Sequence, residues 1–96
     1  MDLQKRTAAN FYSGQGTSTA TASPLVQPGF GAECYKGITV RAAAGNTDAI
    51  YVGMSGVTTT TGFVLAAGAT VEILVDNPEK VFVVSASSQS YSWIAA

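Results

Sequence analysis

The carboxylates in the last third of the chain are the first candidates for chemistry. Glu72, Asp76 and Glu79 lie close together in sequence, and paired carboxylates act as general acid and base in glycosidases or as ligands for Ca²⁺. Glu72 falls at an outward position of a predicted strand, which is typical of a solvated residue. Asp76 and Glu79 belong to Asp-Asn-Pro-Glu, a strong turn sequence. Ca²⁺ takes six to eight oxygen ligands, and two carboxylates in one turn are weak evidence for such a site. Turn formation is therefore the favoured interpretation.

The chain contains no histidine and a single cysteine, Cys34. Without histidine, Ser/His/Asp, Cys/His and zinc sites are excluded, and a lone cysteine is typical of a small buried hydrophobic residue in a reducing compartment. The glycines between residues 53 and 68 lack the lysine and the following helix of a phosphate-binding loop. The sequence therefore predicts a protein that is not an enzyme, with no catalytic residue, no cofactor and no metal site.

Four aromatic side chains are candidates for a stacking platform that would bind a sugar or a base: Tyr35, Tyr51, Tyr91 and Trp93. Aromatic faces serve both kinds of ligand. The same rings are equally suited to a hydrophobic core or to a subunit contact. Core or subunit contact is the favoured interpretation.

The composition is poor in charge. Charged residues make up 11% of the 96 residues, against roughly 25% in ordinary soluble proteins. One interpretation is a β-rich protein with a Thr/Ser surface, and the other is a surface covered by copies of the chain or by a partner. The second predicts a homo-oligomer, specifically a trimer.

Nucleic acid and membrane are not predicted as partners. The net charge is −1 and the five basic residues are scattered, so they form no stripe that could follow a phosphate backbone. The sequence has no run of 18 or more apolar residues, and its first 20 residues lack the apolar segment of a signal peptide. These patterns predict a chain that is neither membrane-spanning nor secreted by the general route.

Residues 33–96 show the periodicity of short strands. Strands are predicted at 38–42 and 49–53, paired as a hairpin, at 57–61, at 71–75 and at 91–95, and a central strand within 80–86 is apolar on both faces. Six or seven strands spaced about 8 to 12 residues apart predict an all-β protein, a small antiparallel β-sandwich or barrel of jelly-roll-like type. Val71, Ile73, Val75, Val81 and Val83 are predicted to be largely buried.

Residues 1–32 are predicted to form an extended N-terminal arm, separate from a β-sandwich body at 33–96. Glycine, proline and hydroxyl residues dominate this part of the chain, and no periodicity lasts long enough to bury a face. Leu25 and Val26, bracketed by prolines, favour a short edge strand. The apolar residues of the arm are the predicted contacts with a partner or with another subunit: Phe11, Tyr12, Leu25 and Val26.

The order of short motifs after residue 50 resembles a module of small structural proteins in tailed-phage virions. Its elements are Tyr51-Val52-Gly53, Ser55-Gly56-Val57, Thr61-Gly62-Phe63 with Leu65, then Gly68, Val71 and Ile73, then Val81 and Val83. Members of that family often carry a proline and an acidic residue around the glycine that aligns with Gly68, where this chain has Ala67 and Ala69. The resemblance covers roughly the last 60 residues.

The resemblance implies a capsid decoration (cement) protein that stabilises an assembled phage head. The implied partners are the major capsid protein and further copies of the chain, commonly as trimers, and the implied location is the capsid surface after assembly in the host cytoplasm. Two alternatives stay open. One is a tail, fibre or head-spike component involved in host adsorption, and the other is a small carbohydrate-binding module.

Overall fold

Eight strands and one short 3-10 helix form the described part of the chain. The computed structural model describes residues 11–27, 29, 34 and 36–96. The strands are β1 (Tyr12–Ser18), β2 (Ser23–Pro24), β3 (Ile38–Ala42), β4 (Ile50–Gly53), β5 (Phe63–Leu65), β6 (Thr70–Ile73), β7 (Phe82–Val84) and β8 (Gln89–Ala95). The 3-10 helix, Pro78–Lys80, lies between β6 and β7, and the Asn77 side chain accepts a hydrogen bond from the backbone N–H of Glu79.

The strands form two four-stranded antiparallel sheets. The first sheet has the order β1-β8-β3-β6 and the second has the order β2-β7-β4-β5. The first strand pairs with the eighth, the second with the seventh, the third with the sixth and the fourth with the fifth. This is the arrangement of a rolled-up hairpin in two sheets, a jelly roll. The predicted all-β sandwich of jelly-roll-like type is confirmed.

The core lies between the two sheets because alternate residues of their strands point inward. In β8 the buried residues Tyr91, Trp93 and Ala95 alternate with Ser90, Ser92 and Ile94. Val81 and Val83 are buried as predicted, and β7 is a central strand. Val71, Ile73 and Val75 pack against the core but are only half-buried, because β6 lies at the edge of its sheet.

The predicted hairpin between residues 38–42 and 49–53 is wrong. Strands β3 and β4 are both present, but they lie in different sheets. The turn between them is held to β8, because Asn46 donates a side-chain hydrogen bond to the carbonyl oxygen of Ser90 and accepts one from its N–H. The turn therefore carries the chain from one sheet to the other.

The predicted strand at residues 57–61 is also wrong, because this segment is a turn. The Thr58 hydroxyl accepts hydrogen bonds from the backbone N–H groups of Thr60 and Thr61, and the Thr61 hydroxyl accepts one from the N–H of Thr58. Local hydrogen bonds from threonine hydroxyls compete with a sheet ladder. They override the β-propensity of the branched side chains here.

The arm predicted at 1–32 does not match the part of it that the structure describes. Strand β1 pairs with β8 along seven consecutive residues, and Leu25 and Val26 belong to the core. The short edge strand is β2, two residues earlier than predicted, and the Leu25 N–H donates to the Val81 carbonyl oxygen at 2.9 Å. Residues 1–10, 28 and 30–33 lie outside the described residues.

Glycine explains how such a polar segment joins the sandwich. Gly14 and Gly16 face inward, and a Cβ on them would lie 2.7 Å from the Trp93 indole nitrogen and 2.5 Å from the Tyr91 hydroxyl. The two rings therefore fill the space that side chains on β1 would occupy. At these two positions the inward side of β1 is covered by rings of β8. The sequence of β1 therefore lacks the alternating apolar residues that would predict a buried strand.

Candidate binding surface

The outer face of the second sheet is apolar. Its four strands contain no charged residue, and two rows of cross-strand neighbours cover the face. Pro24, Phe82 and Gly53 form one row, and Val84, Tyr51 and Val64 form the other. We call this surface, together with Val57, the apolar face: Pro24, Tyr51, Val57, Val64, Phe82 and Val84.

The loop between β4 and β5 completes the apolar face. A Cβ on Gly53 would lie 2.6 Å from a methyl group of Val57, and a Cβ on Gly62 would lie 2.7 Å from the Cβ of Tyr51. Val57 therefore sits over Gly53 on the outside of the sheet, and Gly62 lies against Tyr51. Val57 and Val84 are buried but do not belong to the core between the sheets. A small second layer of apolar contacts thus exists on this side of the molecule.

The apolar surface continues around the edge of the sandwich. Val64 is 58% exposed on the face itself, and Phe63, Met54 and Leu74 are at least as exposed. Phe63, Met54 and Leu74 line a cleft of about 400 Å³ next to the edge strands β5 and β6. Large contiguous apolar patches are uncommon on monomeric proteins and often mark binding sites.

Among the described residues that line this cleft, two are charged. Lys80 and Glu72 contribute to the lining, and the Lys80 ammonium nitrogen lies 2.7 Å from an Asp76 carboxylate oxygen. The hydrogen bond and the charge of Lys80 lower the pKa of Asp76, and Asp76 in turn raises the pKa of Lys80. Both side chains are exposed, so the ion pair is a solvated one.

The four predicted contact residues do not form one surface. Phe11 is 66% exposed just before β1, and Tyr12 is half-buried and packs against the core. Leu25 and Val26 are buried in the core of their own chain. Of these four residues, Phe11 alone is exposed enough to reach a partner without rearrangement.

The predicted stacking platform is divided between the core and the apolar face. Tyr91 and Trp93 are buried in the core, and burial raises the pKa of the Tyr91 hydroxyl. Tyr51 is half-buried on the apolar face. Tyr35 lies outside the described residues.

Cys34 lies beside Asp76, since its backbone N–H donates to the Asp76 carbonyl oxygen at 2.8 Å. Cys34 is buried, its thiol donates to the Val75 carbonyl oxygen at 3.1 Å, and burial raises its pKa. In the described part of the chain no three Cys, Asp or Glu side chains come together as metal ligands. No helix in residues 11–27 or 36–96 is long and apolar enough to cross a membrane.

The sequence pattern predicted that β7 is apolar on both faces. It did not predict that the outer face of the whole second sheet is apolar. The signal was present in three short runs without charge, at 50–53, 63–65 and 82–84. An antiparallel sheet with one solvated face alternates apolar and polar residues. The absence of that alternation in neighbouring strands of one sheet would have predicted a second buried face.

Comparison with protein-family models finds no match for the chain. Comparison with curated proteins finds none either. No solved structure matches it.

Proposed function

We propose that the protein is a structural protein of a tailed-phage virion, a capsid decoration protein that binds the assembled head and has no catalytic activity. The observation that carries the proposal is the apolar face, which leaves the second sheet apolar on both sides. Val64 is exposed there, and Pro24, Tyr51 and Phe82 are half-buried, and apolar surface left accessible in this way is suited to protein association. The major capsid protein is the proposed partner, and the capsid surface is the proposed location.

The architecture suits adhesion. Jelly rolls occur among viral capsid proteins and also among lectins, so the fold is compatible with the proposal but does not select it. Binding of one copy to a head need only be weak, because an oligomer contacts the lattice at several points and later contacts form at high effective concentration. Full burial of an exposed side chain of this kind contributes about 1.5 to 3 kcal/mol, and Val64 and Phe82 would each contribute less because they are already partly buried.

A tail, fibre or spike component would use the same apolar face, and localisation in the particle separates it from a head protein. The carbohydrate-binding alternative is less favoured, because Tyr91 and Trp93, two of the rings it needs, are buried in the core. Electron cryomicroscopy of the particle, with the chain located in the map, distinguishes head from tail directly.

The binding test compares two substitutions that introduce the same charge on opposite faces. Val64→Asp places a carboxylate on the apolar face, and Ser90→Asp places one at an exposed position on the outer face of the first sheet. Both variants should keep the circular-dichroism spectrum of the wild type. Val64→Asp should lose at least about 90% of its binding to undecorated heads. Burying an unpaired charge in the contact lowers the affinity by more than about tenfold.

Equal binding by Val64→Asp and the wild type would refute attachment through the apolar face. Failure of the wild-type protein to bind heads or any other part of the particle would refute the virion proposal as a whole.

A further inference from the structure

The four edge strands of the sandwich differ in how they are protected against pairing with another chain. Strand β2 has two residues and contains Pro24, and β5 has three residues. Strand β6 carries Glu72. Short length, proline and charge are the usual means by which an edge strand avoids association. These three edges are therefore blocked.

Strand β1 has none of these protections. Its sequence, Tyr-Ser-Gly-Gln-Gly-Thr-Ser, has seven residues with no charge and no proline. Its register against β8 advances one residue at a time from Tyr12 to Ser18 without a bulge. Among the described residues, no strand pairs with its other edge. A long, regular, uncharged edge is a template for another strand.

The side chains of β1 are compatible with a second copy of the same strand. An antiparallel pair centred on Gln15 would place Ser13 opposite Thr17 of the second copy and the two Gln15 side chains opposite each other. Ser13, Gln15 and Thr17 are exposed and face outward. Their hydroxyl and amide groups can hydrogen-bond across strands, and no like charges would meet.

The inward side of β1 offers no obstacle to this pairing. In the same register Gly14 lies opposite Gly16 of the second copy, so neither strand brings a side chain to these two positions. The rings of Trp93 and Tyr91 already cover the two glycines within each chain. The new pair of strands would extend the first sheet to eight strands without repacking the core.

We propose that residues 13–17 of β1 pair antiparallel with the same residues of a second copy, about a two-fold axis at Gln15. The interface is isologous, so it produces dimers or other even-numbered assemblies and not the trimer predicted from composition. The proposal does not depend on the virion function, because it rests on the edge of the first sheet and leaves the apolar face free.

Cysteine cross-linking tests both the pairing and its register. Directly opposite residues in an antiparallel pair have Cα atoms about 4.5 to 5.5 Å apart, which is within the range of a disulfide. Gln15→Cys should form a disulfide-linked dimer nearly completely under mild oxidation. Ser13→Cys and Thr17→Cys should cross-link poorly alone and efficiently when the two variants are mixed.

Two controls define the background of the cross-linking. Thr70→Cys lies in the same cross-strand row but on the opposite edge of the sheet, and the wild type carries Cys34 alone. Neither should form dimers, the wild type because its thiol is buried. Equal cross-linking of Gln15→Cys and Thr70→Cys would refute the pairing, as would efficient cross-linking of Ser13→Cys with itself.

A charge exchange gives a second test that needs no oxidation. Gln15→Glu should weaken dimerisation about five-fold in sedimentation equilibrium, because two like charges then face each other. Thr70→Glu should leave dimerisation unchanged. Mixing Gln15→Glu with Gln15→Lys should restore association to at least the wild-type level. A wild-type protein that sediments as a strict monomer or as a trimer would overturn the proposal.

Discussion

The outer faces of the two sheets differ sharply, although both sheets have four antiparallel strands. The first sheet exposes mostly hydroxyl and amide groups, with one arginine, one glutamate and one exposed isoleucine: Ser13, Gln15, Thr17, Thr39, Arg41, Thr70, Glu72, Ser90, Ser92 and Ile94. We call this surface the hydroxyl face. The outer side of the second sheet is the apolar face, where Val64 is exposed and Pro24, Tyr51 and Phe82 are half-buried. An antiparallel sheet in a two-layer protein normally has one solvated side, and only the hydroxyl face fits that description.

The two faces are suited to two different kinds of contact with other molecules, one through a strand edge and one through apolar side chains. The hydroxyl face ends at β1, whose outer edge at residues 13–17 offers backbone hydrogen bonds. The Tyr51 hydroxyl is the one side-chain polar group among the residues of the apolar face, so a partner there gains affinity mainly from removal of apolar surface from water. An edge contact depends on register, whereas an apolar contact depends on shape. Substitutions that change shape and those that change register should therefore act on different assemblies.

The largest expected effect distinguishes the two sides of the second sheet. Val83 is fully buried between the sheets, and Val64 is exposed on the apolar face. Val83→Asp should prevent folding, since burying an unpaired carboxylate costs several kcal/mol against a total stability of about 5 to 10 kcal/mol. Val64→Asp should fold with a stability within about 0.5 kcal/mol of the wild type.

Far-ultraviolet circular dichroism and urea unfolding measure both effects. A Val83→Asp variant that folds and melts like the wild type would show that β7 is not central. A Val64→Asp variant that fails to fold would show that the apolar face is part of the core of a single chain.

A smaller effect is expected beneath the hydroxyl face, where glycines of β1 contact the rings of β8. Gly14→Ala would place a methyl group 2.7 Å from the Trp93 indole nitrogen, so the ring or the strand must shift. The expected cost is about 1 to 3 kcal/mol of unfolding free energy. Gly45→Ala is the matched control, because a Cβ at Gly45 meets no atom within 4 Å and its φ is not positive.

Urea unfolding of both variants, followed by tryptophan fluorescence, reports on stability and on the surroundings of Trp93. Equal stabilities for the two glycine variants would mean that β1 is not held against Trp93 in solution.

The sequence predicted the fold class because alternation in residues 38–42 and 91–95 reports directly on burial. It failed for β1, where the burial is supplied by Trp93 and Tyr91 across the strand pair and no local pattern shows it. It failed at 57–61, where threonine hydroxyls bond to their own backbone. In both cases the deciding contacts, aromatic rings from another strand and hydroxyl-to-backbone hydrogen bonds, are not reflected in strand propensity or in hydrophobic periodicity.

The candidate surface was harder to predict than the fold. The predicted contacts Leu25 and Val26 are core residues. The prediction failed because a short apolar pair between prolines has the same sequence pattern whether it packs inward or binds a partner. Val64 and Phe82 become recognisable as surface residues only when the sheet order places them beside Tyr51. A face shared by four strands is a property of topology, and the topology includes pairings between strands far apart in the sequence.

The smallest expected effect concerns the ion pair of Asp76 and Lys80 beside the cleft at the edge of the apolar face. Asp76→Asn should change the melting temperature little at neutral pH, since exposed ion pairs contribute little to stability and salt screens them. The pKa of Asp76 lies below its ordinary value because of Lys80. Any stabilisation from the carboxylate is therefore present above that ordinary value and disappears as the pH falls through the lower pKa of the folded state.

Melting temperatures of the wild type and Asp76→Asn at neutral pH, in low and in high salt, and again under acid conditions, test this expectation. The small difference at low salt should shrink in high salt and vanish in acid, where the carboxylate is protonated. A large difference that persists in high salt would mean that the pair is shielded from solvent. Since both side chains are exposed in the single chain, that shielding would point to a partner covering the cleft.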